Sequence, residues 1–246
     1  MGVAAGPADW WTDGTDDGRI HIATKGVVQD GLVLNLDAGA STSYPGSGTT
    51  WTDLSDSGRN GTLTGGPTYS SDDGGALVFD GTADYVSFST INALEFTYEA
   101  WIYHTPSNTA NDYGYFFSNG TFGLAVSEGG TSSGLSLSTV YNWNGSSITI
   151  LDTLPSNQWV HFVAVFDGSS PSGPTDFITI YKNGSFSSTK NSVFNLQSAI
   201  SELFRYQANT THYLNGKVSS VRIYNDQLTA AEITQNYNAT KGRYGL

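Results

Sequence analysis

The sequence contains no cysteine, which excludes disulfide bonds and thiolate metal sites. Charged residues are scarce, at 13% of the 246 residues, and only 10 are lysine or arginine against 22 aspartate or glutamate. A nucleic-acid-binding surface needs clustered cations that displace counterions from phosphates. We therefore expect no nucleic-acid partner. The net charge of −12 does leave carboxylates that could hold a divalent cation.

Long hydrophobic runs are also absent from the sequence. No apolar run approaches the roughly 20 residues that a membrane-spanning helix needs, so we expect no membrane insertion. Residues 1–7 lack the basic and apolar regions of a secretory signal peptide. We therefore expect a protein that is made in the cytoplasm and carries no signal peptide.

Glycine is abundant, with 29 residues, and short apolar runs alternate with turn-forming Gly, Asn, Ser and Asp. This pattern predicts an all-β protein. Asn-Gly pairs at 119–120, 144–145 and 183–184 predict hairpins closed by type I′ turns. The 12 Phe, 14 Tyr and 6 Trp can fill a core or provide faces on which sugars stack.

One helix is expected near the end of the chain. Thr229 is a candidate N-cap, and Glu232 completes a capping box with it. Leu228 and Ile233 flank the cap as a hydrophobic staple. The helix is expected to run to about residue 238 and to stop near Gly242.

The chain divides into an arm at residues 1–30 and a sandwich at residues 31–246. The sandwich begins with a strand at 32–38, and a Gly/Ser/Thr-rich loop follows to about residue 75. Trp51 and Leu54 are expected to pin that loop to the body.

The arm contains apolar side chains that suit docking. Trp10 and Trp11 are adjacent, and Ile20 and Ile22 alternate a few residues later. Two exposed neighbouring tryptophans are costly unless they contact something. We predict that these four residues dock on a partner or on a second copy of the chain as a homo-oligomer. The alternative is that they fold back on the edge of the sandwich.

Five segments recur in the order that is typical of one fold family. They are 76–86, 96–102, 159–161, 181–184 and 216–224. In these segments the chain resembles the laminin-G-like, concanavalin A-like jelly roll. The resemblance implies an antiparallel β-sandwich with a short C-terminal helix. It also implies a recognition module, because this fold is less often an enzyme.

A narrower resemblance concerns the opening segment 1–7 and the segments 30–38, 44–55, 60–63 and 228–239. They are similar to laminin-G-like structural proteins of tailed bacteriophages. This implies a virion surface protein of the capsid-decoration or head-fibre type, made in the host cytoplasm. Its arm would bind major capsid or tail proteins, and its sandwich would contact host cell-surface glycans weakly. The insert at 8–29 departs from the group and is the candidate anchor.

Two other functions stay open at this point, a tail-fibre adhesin and a free bacterial carbohydrate-binding lectin. An enzyme is not expected. Glycosidases that are built on this sandwich resemble one another in carrying carboxylates at alternate positions of one strand. There an acid and a nucleophile can flank one glycosidic bond. None of the 22 acidic residues forms an i, i+2 pair. Glu95 and Glu99 stand four apart, but Glu99 belongs to a structural strand of the family pattern.

Calcium is the one cofactor that the sequence raises. Asp80 and Asp84 bracket a turn at 81–83, and related domains place a metal near this region. Calcium binds six to eight oxygens of carboxylates and carbonyls. Ser219 and Ser220 stand where the family has an acidic pair. The alternative is that the two aspartates cap the turn.

Overall fold

The chain folds into two antiparallel β-sheets with one short α-helix packed on the outside, as the sequence predicts. The computed structural model describes residues 26–93, 95–107, 113–120, 122–127, 139–143, 148–168, 177–191, 199–207 and 212–246. None of the helices in these ranges has the length and apolar character of a membrane span.

Sixteen strands lie in the described part of the chain. In chain order they are Leu32–Asp37 (β1), Thr50–Trp51 (β2), Gly61–Thr64 (β3), Thr68–Ser70 (β4), Ala76–Asp80 (β5), Tyr85–Ile91 (β6), Phe96–His104 (β7), Tyr113–Ser118 (β8), Gly123–Ser127 (β9), Thr139–Trp143 (β10), Ile148–Thr153 (β11), Trp159–Asp167 (β12), Phe177–Lys182 (β13), Ser185–Asn191 (β14), Ile200–Leu203 (β15) and Asn215–Tyr224 (β16). The α-helix, α1, is Ala230–Thr240, and short 3-10 helices cover Asp72–Gly74 and Lys241–Tyr244.

The strands form two sheets that we name A and B. Sheet A has the order β14-β13-β12-β7-β16-β5-β4, and β1 pairs with the part of β16 beyond β5. Sheet B has the order β11-β10-β9-β8-β15-β6-β3-β2. The three longest strands of sheet A, β7, β12 and β16, are neighbours at its centre. They carry most of the side chains that contact the helix on the outer face of the sheet.

The main core lies between the sheets and uses alternate positions of each strand. On β7 the side chains of Phe96, Tyr98, Ala100 and Ile102 face sheet B. The opposite side of β7 is covered as well, so the strand is buried at nearly every position. The outward side chains of Thr97 and Glu99 are polar but buried, and each has hydrogen-bond partners on the outer face of the sheet.

Helix α1 covers the outer face of sheet A. A cluster of apolar side chains joins the helix to this face: Val163, Val165, Tyr224, Leu228 and Ile233. Trp101 stacks on Tyr244 with ring centroids 3.9 Å apart. The Trp101 Nε1 also donates to Thr240 Oγ1 at 2.8 Å. The outer face of sheet A is thus closed by the end of the chain.

The predicted capping of the helix is confirmed. Thr229 Oγ1 accepts from the backbone N–H of Glu232 at 3.3 Å, and Glu232 Oε2 accepts from the N–H of Thr229 at 2.8 Å. Leu228 and Ile233 are buried in one cluster, as a hydrophobic staple requires. The helix continues to Thr240, beyond the predicted end, before the chain tightens into a 3-10 turn.

Residues 26–29, at the end of the predicted arm, lie against this helix. Val28 is buried, and its N–H donates to Asn236 Oδ1 at 2.8 Å. The Tyr224 hydroxyl donates to Val28 O at 3.3 Å, and Gln235 Nε2 donates to Gly26 O at 2.8 Å. We name residues 26–29 the strap. The chain that precedes the strap therefore joins the sandwich at the outer face of sheet A.

The Asn-Gly turns differ from one another. Asn183 and Gly184 have φ angles of 50° and 73°, which confirms the type I′ prediction there. The predicted hairpin of β8 and β9 forms at the first pair, but Asn119 lacks a positive φ, so the type I′ turn predicted there is wrong. The Asn119 side chain instead accepts from Phe122 N at 2.8 Å, and the Asn119 N–H donates to Phe122 O at 3.0 Å. The pair at 144–145 lies outside the described residues.

The predicted loop at 39–75 contains three short strands, β2, β3 and β4. Trp51 is fully buried, as predicted. Leu54 is 38% exposed, so its predicted pinning role is wrong. Asp53 holds the loop instead, because its carboxylate accepts from the N–H of Asn35 at 2.8 Å and from two later backbone N–H groups. The hydrogen bonds of Asp53, and not an apolar contact of Leu54, therefore hold the loop against the sandwich.

A buried carboxylate links the sheet to its outer layer. Glu99 lies opposite Arg222 in the β7–β16 register, and Arg222 Nη1 donates to Glu99 Oε1 at 2.8 Å. His161 Nε2 on β12 is 3.2 Å from the same oxygen. Asn236 Nδ2 from the helix donates to Glu99 Oε2 at 2.6 Å. One carboxylate therefore joins three strands and α1.

The charge of Glu99 is stabilised by these partners. Burial by itself would raise the pKa of Glu99, but the hydrogen bond with His161 and the charge of Arg222 outweigh burial. The pKa falls to about 2, below the ordinary value of 4.5. The carboxylate therefore stays ionised in the folded protein at neutral pH.

The variant Glu99→Gln is expected to lose about 3–5 kcal/mol of unfolding free energy, because Arg222 would keep a buried charge without its partner. Urea unfolding measures this loss. Glu95→Gln makes the same chemical change at a half-buried position just before β7, and its effect is expected to stay within about 0.5 kcal/mol. Equal losses in the two variants would contradict the role of Glu99.

The Glu99 contribution also carries a pH signature. Because the folded pKa of about 2 lies below 4.5, the contribution is complete above about pH 4.5 and is lost as the pH falls toward 2. The stability difference between the natural protein and Glu99→Gln should shrink over this interval. Unfolding curves collected across it measure the difference, and a constant value would argue against the assignment.

Candidate functional site

A cleft with aromatic walls lies on the outer face of sheet B, whereas α1 covers sheet A. Its volume is about 220 Å³. We name it the tyrosine cleft, and its lining residues are Tyr113, Tyr115, Tyr141, Ile148, Tyr206 and His212. Most of its tyrosines belong to a cluster that is separate from the main core. The cleft is therefore a surface feature of the sheet and not a gap in the core.

The floor of the cleft forms where a strand with small side chains runs between two strands with tyrosines. Ala125 on β9 is paired with Tyr115 on β8 and with Tyr141 on β10. Gly123 precedes Ala125 by two residues and so faces the same side of the sheet. Since neither residue rises far above the sheet, the flanking tyrosines enclose a groove along β9.

A β-bulge sets the direction of the side chains on β8. The register shifts between Tyr115 and Phe117. The shift places both Phe116 and Phe117 in the main core, while Tyr113 and Tyr115 stay on the outer face. The strand thus supplies two outward tyrosines without removing a core residue.

A second wall comes from the chain that follows β15. Tyr206 N donates to His212 O at 2.9 Å, and the Tyr206 hydroxyl donates to Gly120 O at 3.0 Å. The Tyr206 ring stacks on Tyr115 with centroids 5.1 Å apart. Tyr113 meets His212 edge-on, also at 5.1 Å. These ring contacts hold the walls in place before any ligand arrives.

The cleft offers neutral hydroxyls and ring faces. Burial raises the pKa of Tyr115, and its hydrogen bond with Tyr141 offsets only part of that rise. Burial also raises the pKa of Tyr206. The hydroxyls therefore stay protonated at neutral pH and act as hydrogen-bond partners. The lining residues that the structure describes include no carboxylate and no lysine, so they present ring faces and hydrogen-bonding groups.

The two predicted metal ligands lie at the turn that joins β5 of sheet A to β6 of sheet B, and neither lines the cleft. Asp80 accepts from Thr82 N and from Thr82 Oγ1, both at 2.8 Å. Asp84 Oδ2 accepts from Asp80 N at 3.1 Å. Burial raises the pKa of Asp84. Both carboxylates are therefore engaged by the turn that they bracket.

A calcium ion would find few ligands at this turn. Calcium takes six to eight oxygens, and Asp80 and Asp84 direct theirs to backbone and hydroxyl donors. Within the ranges that the structure describes, no group of three or more acidic or histidine side chains is placed to hold a metal. The geometry fits turn capping. Calcium at these two residues stays a prediction from the sequence, and no step below depends on it.

The other predicted site residues are Trp10, Trp11, Ile20 and Ile22, which lie outside the described residues. Sequence reasoning missed the tyrosine cleft, because it considered the aromatic residues together. A signal was present: on β8 and β10 the outward positions carry tyrosine, as at Tyr115 and Tyr141, whereas the inward positions carry phenylalanine or valine. Tyrosine at outward strand positions suits a wet surface.

Comparison with known families and structures supports the fold. A family model described as the Concanavalin A-like lectin/glucanases superfamily matches residues 80–234, more than half of the chain. A search of curated protein sequences found no match.

Several solved structures have the same fold at low sequence identity. Domain 4 of AbnA, an extracellular arabinanase from Geobacillus stearothermophilus solved with arabinotriose, is 15% identical with a TM-score of 0.62, covering 85% of this chain and 100% of that one. The receptor-binding domain of botulinum neurotoxin type G is 12% identical with a TM-score of 0.59, covering 85% and 51%. A Trypanosoma rangeli sialidase solved with sialic acid is 15% identical with a TM-score of 0.56, covering 87% and 33%.

These likenesses show the fold alone. The chain spans about half the length of the neurotoxin domain and a third of the sialidase. Together with the family match, they confirm the predicted laminin-G-like, concanavalin A-like sandwich. The resemblance to phage structural proteins stays a prediction.

The shape of the cleft can be tested at its floor. Gly123→Ala would place a methyl group 2.6 Å from Tyr115 Cε1 and 2.9 Å from Cδ1, so we expect displacement of the ring and a loss of about 1–3 kcal/mol. Near-ultraviolet circular dichroism and thermal unfolding measure the two effects. Gly242→Ala is the control, because its methyl would meet nothing within 4 Å. An unchanged spectrum in Gly123→Ala would mean that the ring is not confined there.

Proposed function

We propose a function from the premise that the chain belongs to the Concanavalin A-like lectin/glucanases superfamily: it binds carbohydrate in the tyrosine cleft. One observation carries the proposal. A groove of about 220 Å³ is walled by tyrosine rings that pack against one another on the outer face of sheet B. A sugar residue would lie along β9, with its faces against those rings.

The chemistry of the walls matches that of a sugar. Sugars present apolar C–H faces and hydroxyl edges, and tyrosine combines an apolar ring with a polar hydroxyl. The stacking of Tyr206 on Tyr115 pre-orders the walls, which lowers the entropic cost of binding. The cleft is smaller than the roughly 300–1,000 Å³ of drug-sized sites, so it suits one or two sugar residues. The arabinotriose complex of the AbnA domain supports glycan binding by a sandwich of this kind.

The proposed role is recognition without bond cleavage. A glycosidase needs two carboxylates on either side of one glycosidic bond, and none is found among the lining residues within the described part of the chain. Glu99, the acid that the sequence pattern singles out, is committed to Arg222 and to the helix on the other sheet. These observations support a binding protein that is not an enzyme.

Tyr206→Ala is expected to weaken glycan binding by about tenfold or more, because the variant loses one face of the cleft. A glycan array of neutral oligosaccharides, followed by calorimetry on the best ligand, measures the effect. Tyr206 is half-buried and stands just before a turn, so the fold should survive truncation of its side chain.

The control for this variant is Tyr69→Ala. Tyr69 is 38% exposed on β4 of sheet A, so the same truncation is made far from the cleft. We expect its binding to equal that of the natural protein. Failure of the natural protein to bind any glycan, or equal losses in both variants, would overturn the proposal.

We further propose that the protein acts on the surface of a phage virion, as a capsid decoration or head fibre. The phage-like opening and closing segments support this placement. The geometry of attachment supports it too: the strap joins the outer face of sheet A at Val28 and Gly26, while the cleft opens on sheet B. An arm anchored to capsid or tail proteins through its apolar residues would leave the cleft facing the host. These residues are Trp10, Trp11, Ile20 and Ile22.

Quantitative mass spectrometry of purified phage particles tests this placement. Copy numbers close to those of the major capsid protein are the expected result. A few copies per particle would favour a tail-fibre adhesin, and absence would favour a free bacterial lectin. Deletion of residues 2–25, which keeps the strap, should abolish particle association while glycan binding persists. Unchanged association would contradict anchoring by the arm.

A further inference from the structure

We infer that the tyrosine cleft selects neutral sugars and rejects sugars that carry a carboxylate or sulfate. This inference rests on the proposed carbohydrate binding and adds the class of ligand. Its basis is the charge of the cleft and of the chain around it. The lining residues that the structure describes are four tyrosines, an isoleucine and a histidine, so this part of the walls holds no lysine or arginine.

The sequence that builds the cleft is free of cations over long stretches. Residues 105–158, which include β8 to β11, contain no lysine or arginine, and neither do residues 206–216. These two stretches supply all six lining residues. The first stretch does contain three acidic residues, Asp112, Glu128 and Asp152. The two stretches of sequence that build the cleft therefore supply no positive charge.

Two cations flank the second stretch. Lys217 lies on β16 of sheet A, 5.3 Å from the centre of the Tyr103 ring, and Arg205 is paired. Arg205 Nε and Nη2 donate to the two carboxylate oxygens of Glu202, both at 2.7 Å. Its guanidinium also lies 3.8 Å from the centre of the Tyr85 ring on β6. Arg205 forms an antiparallel β-bridge with Tyr213, and the next residue, Tyr206, pairs with His212. The side chains of the two pairs therefore lie on opposite faces of the hairpin. Alternation directs Arg205 away from the side that Tyr206 lines.

Lys182, which reaches the edge of sheet B from sheet A, is also held in an ion pair. Lys182 Nζ reaches across from β13 and lies 3.0 Å from Asp152 Oδ1 on β11. The same nitrogen donates to Thr153 O at 3.0 Å. Lys182 thus neutralises the far end of β11 and is held there.

An anionic sugar would enter this cleft at a disadvantage. Moving a carboxylate from water to a half-buried site costs free energy unless a cation or several donors replace its hydration. The chain also carries a net charge of −12, which repels anions at low ionic strength. A neutral sugar of the same shape avoids both costs. The absence of a cation thus acts as selection against acidic glycans.

Matched ligands test the inference. Each neutral glycan that binds on the array is compared by calorimetry with its uronic-acid counterpart, in which one CH₂OH group is oxidised to a carboxylate. Both are measured at pH 8, above the ordinary titration range of a histidine such as His212. We expect binding of the acidic partner to be about tenfold weaker or more. Equal or tighter binding of the acidic partner would overturn the inference and leave carbohydrate binding intact. No binding by either class would overturn both.

A gain of charge gives a second test. Ile148 lines the cleft and is 38% exposed, so Ile148→Lys should fold and place an ammonium at the rim. We expect the preference for the neutral partner to fall from about tenfold to about threefold or less. Ile148→Met changes the side chain without charge, and Phe186→Lys adds the same charge at a 62% exposed position on the other sheet. Both controls should keep the preference. An unchanged preference in Ile148→Lys would overturn the inference.

Discussion

The ionised carboxylate of Glu99 is the interaction on which the rest of the structure depends. It lies on the outward side of β7 and accepts from Arg222 on β16 and from Asn236 on α1. Asn236 in turn accepts from Val28 in the strap. Replacing a whole buried ion pair by apolar residues often changes the net stability little. Any arrangement that leaves one partner buried without the other is strongly destabilised. It therefore specifies where the helix and the strap lie.

Closure of sheet A determines what sheet B can do. With α1, the terminal 3-10 turn and the strap on one outer face, the other outer face carries the tyrosine cleft. The cleft arises from a local contrast in size, because Ala125 lies between Tyr115 and Tyr141 in the register of three neighbouring strands. One sheet thus attaches the two ends of the chain, and the other presents aromatic rings. This division is compatible with anchoring and binding at the same time.

Local signals in the sequence were reliable where the physics is local. The capping box of Thr229 and Glu232 is satisfied within one helical turn, and the Asn183-Gly184 turn needs only its own backbone angles. Asn119 shows the limit of such signals, because its side chain found a partner in Phe122 and a different turn resulted. The polar segment at 39–75 hid three strands because each is only two to four residues long and carries few apolar side chains.

The sequence by itself determined the fold class, the terminal helix and the net negative charge, because strand periodicity and helix capping depend on nearby residues and charge depends on composition alone. Only the tertiary structure decided which side chains form a site. Tyr113, Tyr115, Tyr141 and Tyr206 come together because β8, β9 and β10 are neighbours in register and the chain after β15 returns beside them. Tertiary packing likewise decided that Glu99 supports the fold, since its partners Arg222 and Asn236 are more than a hundred residues away.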